Sequence, residues 1–265
     1  MSEAGPDLLP DSHDTLAERP LYHEFAWAYD VLFDDDVGPF TDRVVEALAA
    51  HGVQPGSEVL DAGCGTGRYA GELARRGFVV KGIDASEELV AYGNESNVPD
   101  GADVHLSVGD LRGLAAPESF DAIVCRGVLN DLLDEDDRSA VIARLAASLR
   151  SGGVLVLDVR DWLRTVESVR QRPLFEKTVA AGDSPLDFRS DRTIDEIHKL
   201  LVSRETISSG QQKATSTFRM RPWTEHEIRV ALERAGCHEI AVTPGFRDRG
   251  EQVVGDRIFC TSVRR

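Results

Sequence analysis

Three acids and three glycines carry the chemistry that the sequence makes legible. The stretch EVLDAGCGTGRYA, residues 58–70, sets Asp61 ahead of Gly63, Gly65 and Gly67. An apolar run precedes the glycines and a helix-like pattern follows them. In a strand–glycine loop–helix unit, bare backbone lets a ligand approach closely. The helix start adds unpaired N–H groups and a positive dipole end. Asp84 ends VVKGID, and Asp110 ends LSVGD. A carboxylate at the end of the strand beside such a loop can accept both hydroxyls of a ribose. A nucleotide-like ligand is the chemistry these residues suit; a tight turn with loop carboxylates is the structural alternative.

The acids can act together only if one scaffold brings three strand ends to a common rim. SEVLDAG, FVVKGID, ADVHLSVGD, FDAIVCRGVL and VLVLDVRDW read as five short strands. Between them lie helix patterns. GRYAGELARRG stops at Gly77, and SEELVAYGNESN has Ser86 as N-cap. DEDDRSAVIARLAASLRSGG carries acids at its start and Arg150 at its end, with Gly152 as the stop. Strands alternating with helices imply a parallel sheet covered on both faces. In such a sheet Asp61, Asp84 and Asp110 line one edge. Two further helices are expected over Leu21–Phe33 and Pro39–Gly52, the latter from Phe40, Val44, Ala47 and Leu48 at helical spacing.

After Thr165 the pattern changes to short segments of polar alternation, with SSGQ at 208–211 as a hairpin turn. Residues 165–222 therefore read as an antiparallel β insertion, although 194–201 also fit a helical period. The core, 21–164, resumes over 223–265. WTEHEIRVALERAG carries a capping box, Thr224 with Glu227, and Trp223 with Ile228 fits a hydrophobic staple. Two final strands, HEIAVTPG and DRIFCTSVRR, have only a loop between them and should pair antiparallel.

The whole chain narrows the function classes. A formal net charge of −16 over 265 residues disfavours phosphate backbones, so no nucleic-acid partner is expected. No run approaches the roughly 18 apolar residues of a membrane span. Residues 1–20 are polar and acidic, with no basic start or apolar core. They read as a disordered leader on a cytoplasmic protein. Cys64, Cys125, Cys237 and Cys260 show no metal spacing, so free thiols and no metal site are expected.

Gly65, Gly67 and Ala70 satisfy the looser dinucleotide pattern GxGxxA, and Asp84 lies roughly the expected 20 residues on. Motif matching alone thus leaves a nicotinamide oxidoreductase open. Against it, EVLDAGCGTGRYA resembles the first motif of class I S-adenosylmethionine-dependent methyltransferases. GIDAS resembles their ribose-binding acid, VGDL their adenine-side acid, SFDAIVCRGVLNDL their fourth strand and its loop, and LRSGGVLVLDV their fifth strand. The match runs from Leu21 to Asp161 and again from 223 to the end; 165–222 matches only loosely, like the inserted β lids of small-molecule members.

The resemblance implies a Rossmann-like three-layer α/β sandwich with a mostly parallel seven-stranded sheet and an antiparallel last strand. It implies S-adenosyl-L-methionine as donor. Gly63, Gly65 and Gly67 would approach its methionine part and Asp61 would orient the loop. Asp84 would take the ribose, Asp110 and the Leu111 backbone the adenine. Arg126 and Gly127 would lie at the methionine end, with Tyr22 and Tyr29 folded over the donor. Arg68 would pair with the donor carboxylate or lie on a solvated helix face. On the acceptor side Asn130, Asp131, Asp158, Arg160, Asp161 and Trp162 fall at or near the rim, and His23, His198 and His226 remain as bases; no constellation singles one out. Asn130 stands where many relatives carry a His. A roofed pocket and an acidic chain suit a small-molecule acceptor, methylated at O or N, in natural-product or secondary metabolism. A homodimer is left open, as is a donor-binding protein without methyl transfer.

Overall fold

The computed structural model describes residues 19–182, 184–245 and 255–265. Most of the leader expected over 1–20 lies outside the described residues. Five strands and the helices between them follow the alternation seen in the sequence. They are β1 (Glu58–Ala62), β2 (Val79–Asp84), β3 (Val104–Val108), β4 (Phe120–Arg126) and β5 (Leu149–Arg160). The helices before and among them are α1 (Tyr29–Leu32), α2 (Gly38–Ala50), α3 (Arg68–Arg75), α4 (Glu87–Ser96) and α5 (Glu135–Ser148). The chain continues through α6 (Trp162–Gln171), β6 (Leu174–Ala181), β7 (Ser184–Asp195), β8 (Leu200–Ser209), β9 (Gln212–Met220), α7 (Glu225–Arg234), β10 (Cys237–Pro244) and β11 (Arg257–Arg264).

Seven strands form one sheet in the order β10-β11-β5-β4-β1-β2-β3, and β6 to β9 form a second, antiparallel sheet. β1 to β5 pair in parallel, and β11 runs antiparallel to both β5 and β10. The fold is thus the α/β sandwich expected, with the antiparallel last strand in place. Side chains alternate across each strand, which splits the core in two. Leu60, Ile123 and Cys125 pack with Ile142 and Leu145 of α5 and Leu232 of α7. Val59 and Val124 face the other way, onto Phe40, Val44 and Leu48 of α2 and Leu73 of α3. The capping box of α7 forms as its residues dictate, Thr224 Oγ1 accepting from Glu227 N at 3.1 Å.

Four details differ from the sequence reading. Leu21–Phe33 is not one helix but two 3-10 turns and the four-residue α1. Its apolar residues Leu21, Phe25, Ala28 and Leu32 pack on Leu186, Phe188 and Ile207 of the second sheet, and tertiary contact overrides the local period. Arg19, placed in the leader, is buried and forms a two-pronged ion pair with Glu205 of β8, both contacts at 2.9 Å. α5 ends at Ser148 rather than Gly152, because Leu149 already pairs with Phe120 and Arg150 turns to Glu58 and Asp121. Finally, α6 has no counterpart among the expected elements. Asp161 caps it through Arg164 N, and Thr165, Val166 and Val169 are its buried face.

Candidate active site

The parallel register sets the glycine loop and the strand-end acids against each other. Gly63 N and Cys64 N both donate to the Ile83 carbonyl, at 2.8 and 3.1 Å, so the loop leaving β1 is pinned to the end of β2. Asp84 then receives Gly65 N–H at 2.8 Å on one carboxylate oxygen and Ser86 N–H at 3.0 Å on the other. The three glycines differ in purpose. A Cβ on Gly63 would collide with Val128 and one on Gly67 with Leu106, whereas a Cβ on Gly65 would meet nothing within 4 Å. Gly65, with φ of +54°, therefore leaves open space on the cavity side. The loop's outer flank is held by α1, where Asp30 accepts from the Thr66 hydroxyl at 2.6 Å and from Asn97 at 2.7 Å.

Asp61 is buried behind the loop, and one of its oxygens has no hydrogen-bond partner among the described residues. Burial, with the neighbouring Asp84 charge, pushes its carboxyl up to about 7, against the opposing pull of the Ala70 N–H at the start of α3. Burial also raises the Asp84 carboxyl, against its backbone hydrogen bonds. Asp110 differs: it is half-exposed, and its pairing with Arg112 holds its carboxyl below the usual range.

Most of these residues border one cavity of about 630 Å³, but Asp61 and Gly67 stand behind its wall and do not line it. Gly63, Gly65, Asp84, Asp110, Leu111, Arg126 and Gly127 line it from the sheet edge. Tyr22, His23 and Tyr29 close it from the N-terminal segment, and Phe218 and Met220 from β9. Asp84, Asp110, Tyr22 and Tyr29 were candidates from the sequence, whereas no motif marked Arg19, Asp30, Phe218, Met220 or Arg257, whose positions depend on long-range packing.

The acceptor-side candidates separate. Asp158 is fully buried beneath the rim, where Arg126 and Arg257 both grip its carboxylate. It holds two arginines in place and does not line the cavity. Trp162 and Asp161 belong to the first turn and cap of α6, away from the cavity lining. Asn130 reaches the wall but is spent on structure: its amide donates to the Gly127 carbonyl at 2.7 Å and accepts from Arg160 N at 2.9 Å. Arg160 lines the cavity, paired with Asp256; burial lowers it to about 10. Arg68 turns instead to the Phe33 and Asp35 carbonyls. His198 sits with Asp195, and His226 is exposed in the first turn of α7; both lie outside the cavity lining.

Asp131 is the acid that remains on this side. It is half-buried and opens onto the cavity, and desolvation pushes its carboxyl up to about 7. Tyr22 donates its hydroxyl to Asp131 at 3.2 Å and accepts from Arg19 at 2.7 Å.

Residues 59–153 match the family model described as a methyltransferase domain. Over 243 residues the chain is 31% identical to a protein of Geobacillus sp. (strain WCH70) that bears the name methyltransferase, covering 90% of this chain and 97% of that one. The chain belongs to the class I S-adenosylmethionine-dependent methyltransferases. Solved methyltransferases share the fold. One from Clostridium acetobutylicum ATCC 824, at 19% identity, superposes with a TM-score of 0.73 over 92% of this chain and 98% of that one. An S-adenosylmethionine-bound amino pentose methyltransferase from Micromonospora echinaspora, at 22% identity, gives 0.67 over 92% and 97%. Family membership sets aside the dinucleotide reading that the glycine pattern alone left open. This methyltransferase is also physically suited to the donor. Gly65 leaves a bare-backbone cradle, Asp84 a carboxylate at the strand edge, and Asp61 a buried oxygen in want of a donor group.

Proposed function

We propose that the chain methylates an oxygen or nitrogen of a small molecule, a natural-product or secondary-metabolism intermediate, in the cytoplasm. One observation carries this: Phe218 and Met220 of the second sheet line the same cavity as Gly65 and Asp84. Residues 165–222 then act as the lid of a donor-binding core made of 21–164 and 223–265. A roofed cavity of this volume suits a small acceptor, whereas a polymer needs an open and usually basic groove. The net charge of −16 argues the same way. The solved relative from Micromonospora echinaspora, named for an amino pentose and for calicheamicin biosynthesis, is consistent with this class of acceptor.

In this reading Gly63, Gly65 and Gly67 form the cradle of the donor's methionine part and Asp61 steadies it from behind. Asp84 accepts the ribose hydroxyls. Asp110 and the Leu111 backbone take the adenine. Arg126 and Gly127 border the methionine end, and Tyr22 and Tyr29 cover the donor. The donor, when bound, supplies an electrophilic methyl on a sulfonium with a neutral leaving group. The chain's part is to exclude water and hold the acceptor in line, and such positioning alone contributes several kcal/mol. Incubation with labelled donor and separate pools of small acceptors, RNA, DNA and protein tests the proposal. Label in a small acceptor supports it; label confined to a macromolecule contradicts it.

A further inference from the structure

The cavity carboxylates are not equivalent. Asp84 is engaged by Gly65 and Ser86, and Asp110 by Arg112. Asp131 lies on another part of the wall, just past the turn after β4, a turn that the Asn130 clamp fixes to β5, and it accepts from Tyr22. Tyr22, its hydrogen-bond partner, and Leu132 and Met220 line the same cavity. A guanidinium only donates hydrogen bonds. Since Arg19 donates to the Tyr22 oxygen, that hydroxyl must use its own proton toward Asp131. Arg19 is in turn anchored by Glu205 of the lid sheet. A chain of directed contacts, Glu205 to Arg19 to Tyr22 to Asp131, thus runs from the lid to the acceptor side and presents Asp131 as a proton acceptor.

We propose that Asp131 receives the ammonium form of a small primary or secondary amine and removes its proton, which makes this chain an amine N-methyltransferase. The proposal rests on the small-molecule reading above and narrows it. An ammonium has no lone pair and would sit beside a sulfonium of like charge, so it must lose a proton before it reacts. In the first step an N–H bond breaks, the proton goes to the Asp131 carboxylate, and the nitrogen keeps the electron pair. That pair then forms the N–CH3 bond while the S–CH3 bond breaks, its electrons remaining on sulfur. Nitrogen ends with the positive charge and sulfur neutral.

Acidity favours nitrogen over an aliphatic hydroxyl. Amines titrate at about 8–10 in water and lower when buried. A carboxylate near neutrality can deprotonate such a group, while an alcohol proton is far too weakly acid for it. The groups that act on Asp131 come from every side: Arg19, Tyr22 and Tyr29 from the N-terminal segment, Asp84 from β2, Cys125 from β4 and Arg160 from β5.

The test uses the full chain, methyl-labelled S-adenosyl-L-methionine, and matched pairs of small cyclic amines and their alcohol isosteres, cyclohexylamine and cyclohexanol among them. Label should enter amines on nitrogen, with turnover rising as pH increases through about 7. Asp131→Asn should keep the donor Kd, lower kcat on the amine by about 100-fold or more and lose that rising limb, and Asp131→Glu should restore part of both. Tyr22→Phe should move the limb to higher pH, which a merely structural role would not do. Label on alcohols alone, no label on any amine, or an Asp131→Asn variant with wild-type amine turnover would overturn the proposal. Label appearing only in added macromolecules would overturn the broader small-molecule reading instead.

Discussion

The carboxylate of Asp84 accepts the Gly65 N–H at 2.8 Å. The acid ending β2 and the turn leaving β1 are therefore one hydrogen-bonded unit, and a change in either member reaches the other. Gly65 also has empty space where a side chain would begin.

Gly65→Ala should accordingly fold while binding donor poorly. The added methyl meets no protein atom, but it projects into the cavity at a positive φ of +54°. Strain of about 1 kcal/mol is expected there, a loss of roughly 2–4 °C in Tm for a chain of this size. Donor affinity should fall by about tenfold or more, beyond what that strain accounts for. Thermal melting and calorimetric titration of the same sample separate the two effects.

Asp61 couples stability to pH. Its carboxyl is held at about 7 when folded, against about 3.9 unfolded. The folded state binds the proton more tightly, so this group favours folding at low pH. That advantage is lost as pH rises from about 4 to about 7. Asp61→Asn, which never ionises, should raise the Tm of the donor-free protein, and by more at about pH 8 than at about pH 5.5. Melting curves for both proteins across that range check it; an equal gain at both pH values would contradict it.

The Arg19–Glu205 pair ties the N-terminal segment to the second sheet with both side chains buried. Glu205→Ala leaves a buried guanidinium uncompensated and should cost about 3–5 kcal/mol. The double change Arg19→Met with Glu205→Leu should cost much less than the sum of the single changes. A denaturation double-mutant cycle measures this coupling, and strict additivity would show that the pair acts as two separate surface charges.

Much of the scaffold was legible because it is local. The period-2 and period-3.6 runs, the capping box at Thr224 and Glu227, the acid ending β2 and the acid two residues past β3 all follow from neighbouring residues. The fate of the acceptor-side candidates was not. Asn130 and Asp158 are polar residues at the right strand ends, yet Asn130 is used to clamp β5 and Asp158 to hold Arg126 and Arg257. Those partners lie about 30 to 100 residues away in sequence, where no spacing rule reaches. Arg19 was missed for the same reason: its partner, Glu205, is brought to it only by the second sheet. Asp161 did carry a signal, as the N-cap of WLRTVESV, but its position after an apolar strand read as rim instead.

The most direct test of the donor site is the dissociation constant of S-adenosyl-L-methionine for the wild-type chain and for Asp84→Ala, measured by calorimetry with folding confirmed by melting. Loss of the ribose hydrogen bonds proposed for Asp84, and of its anchor on Gly65, should weaken the donor by about 1–3 kcal/mol. An unchanged dissociation constant in a folded Asp84→Ala protein would contradict the placement of the donor on this rim.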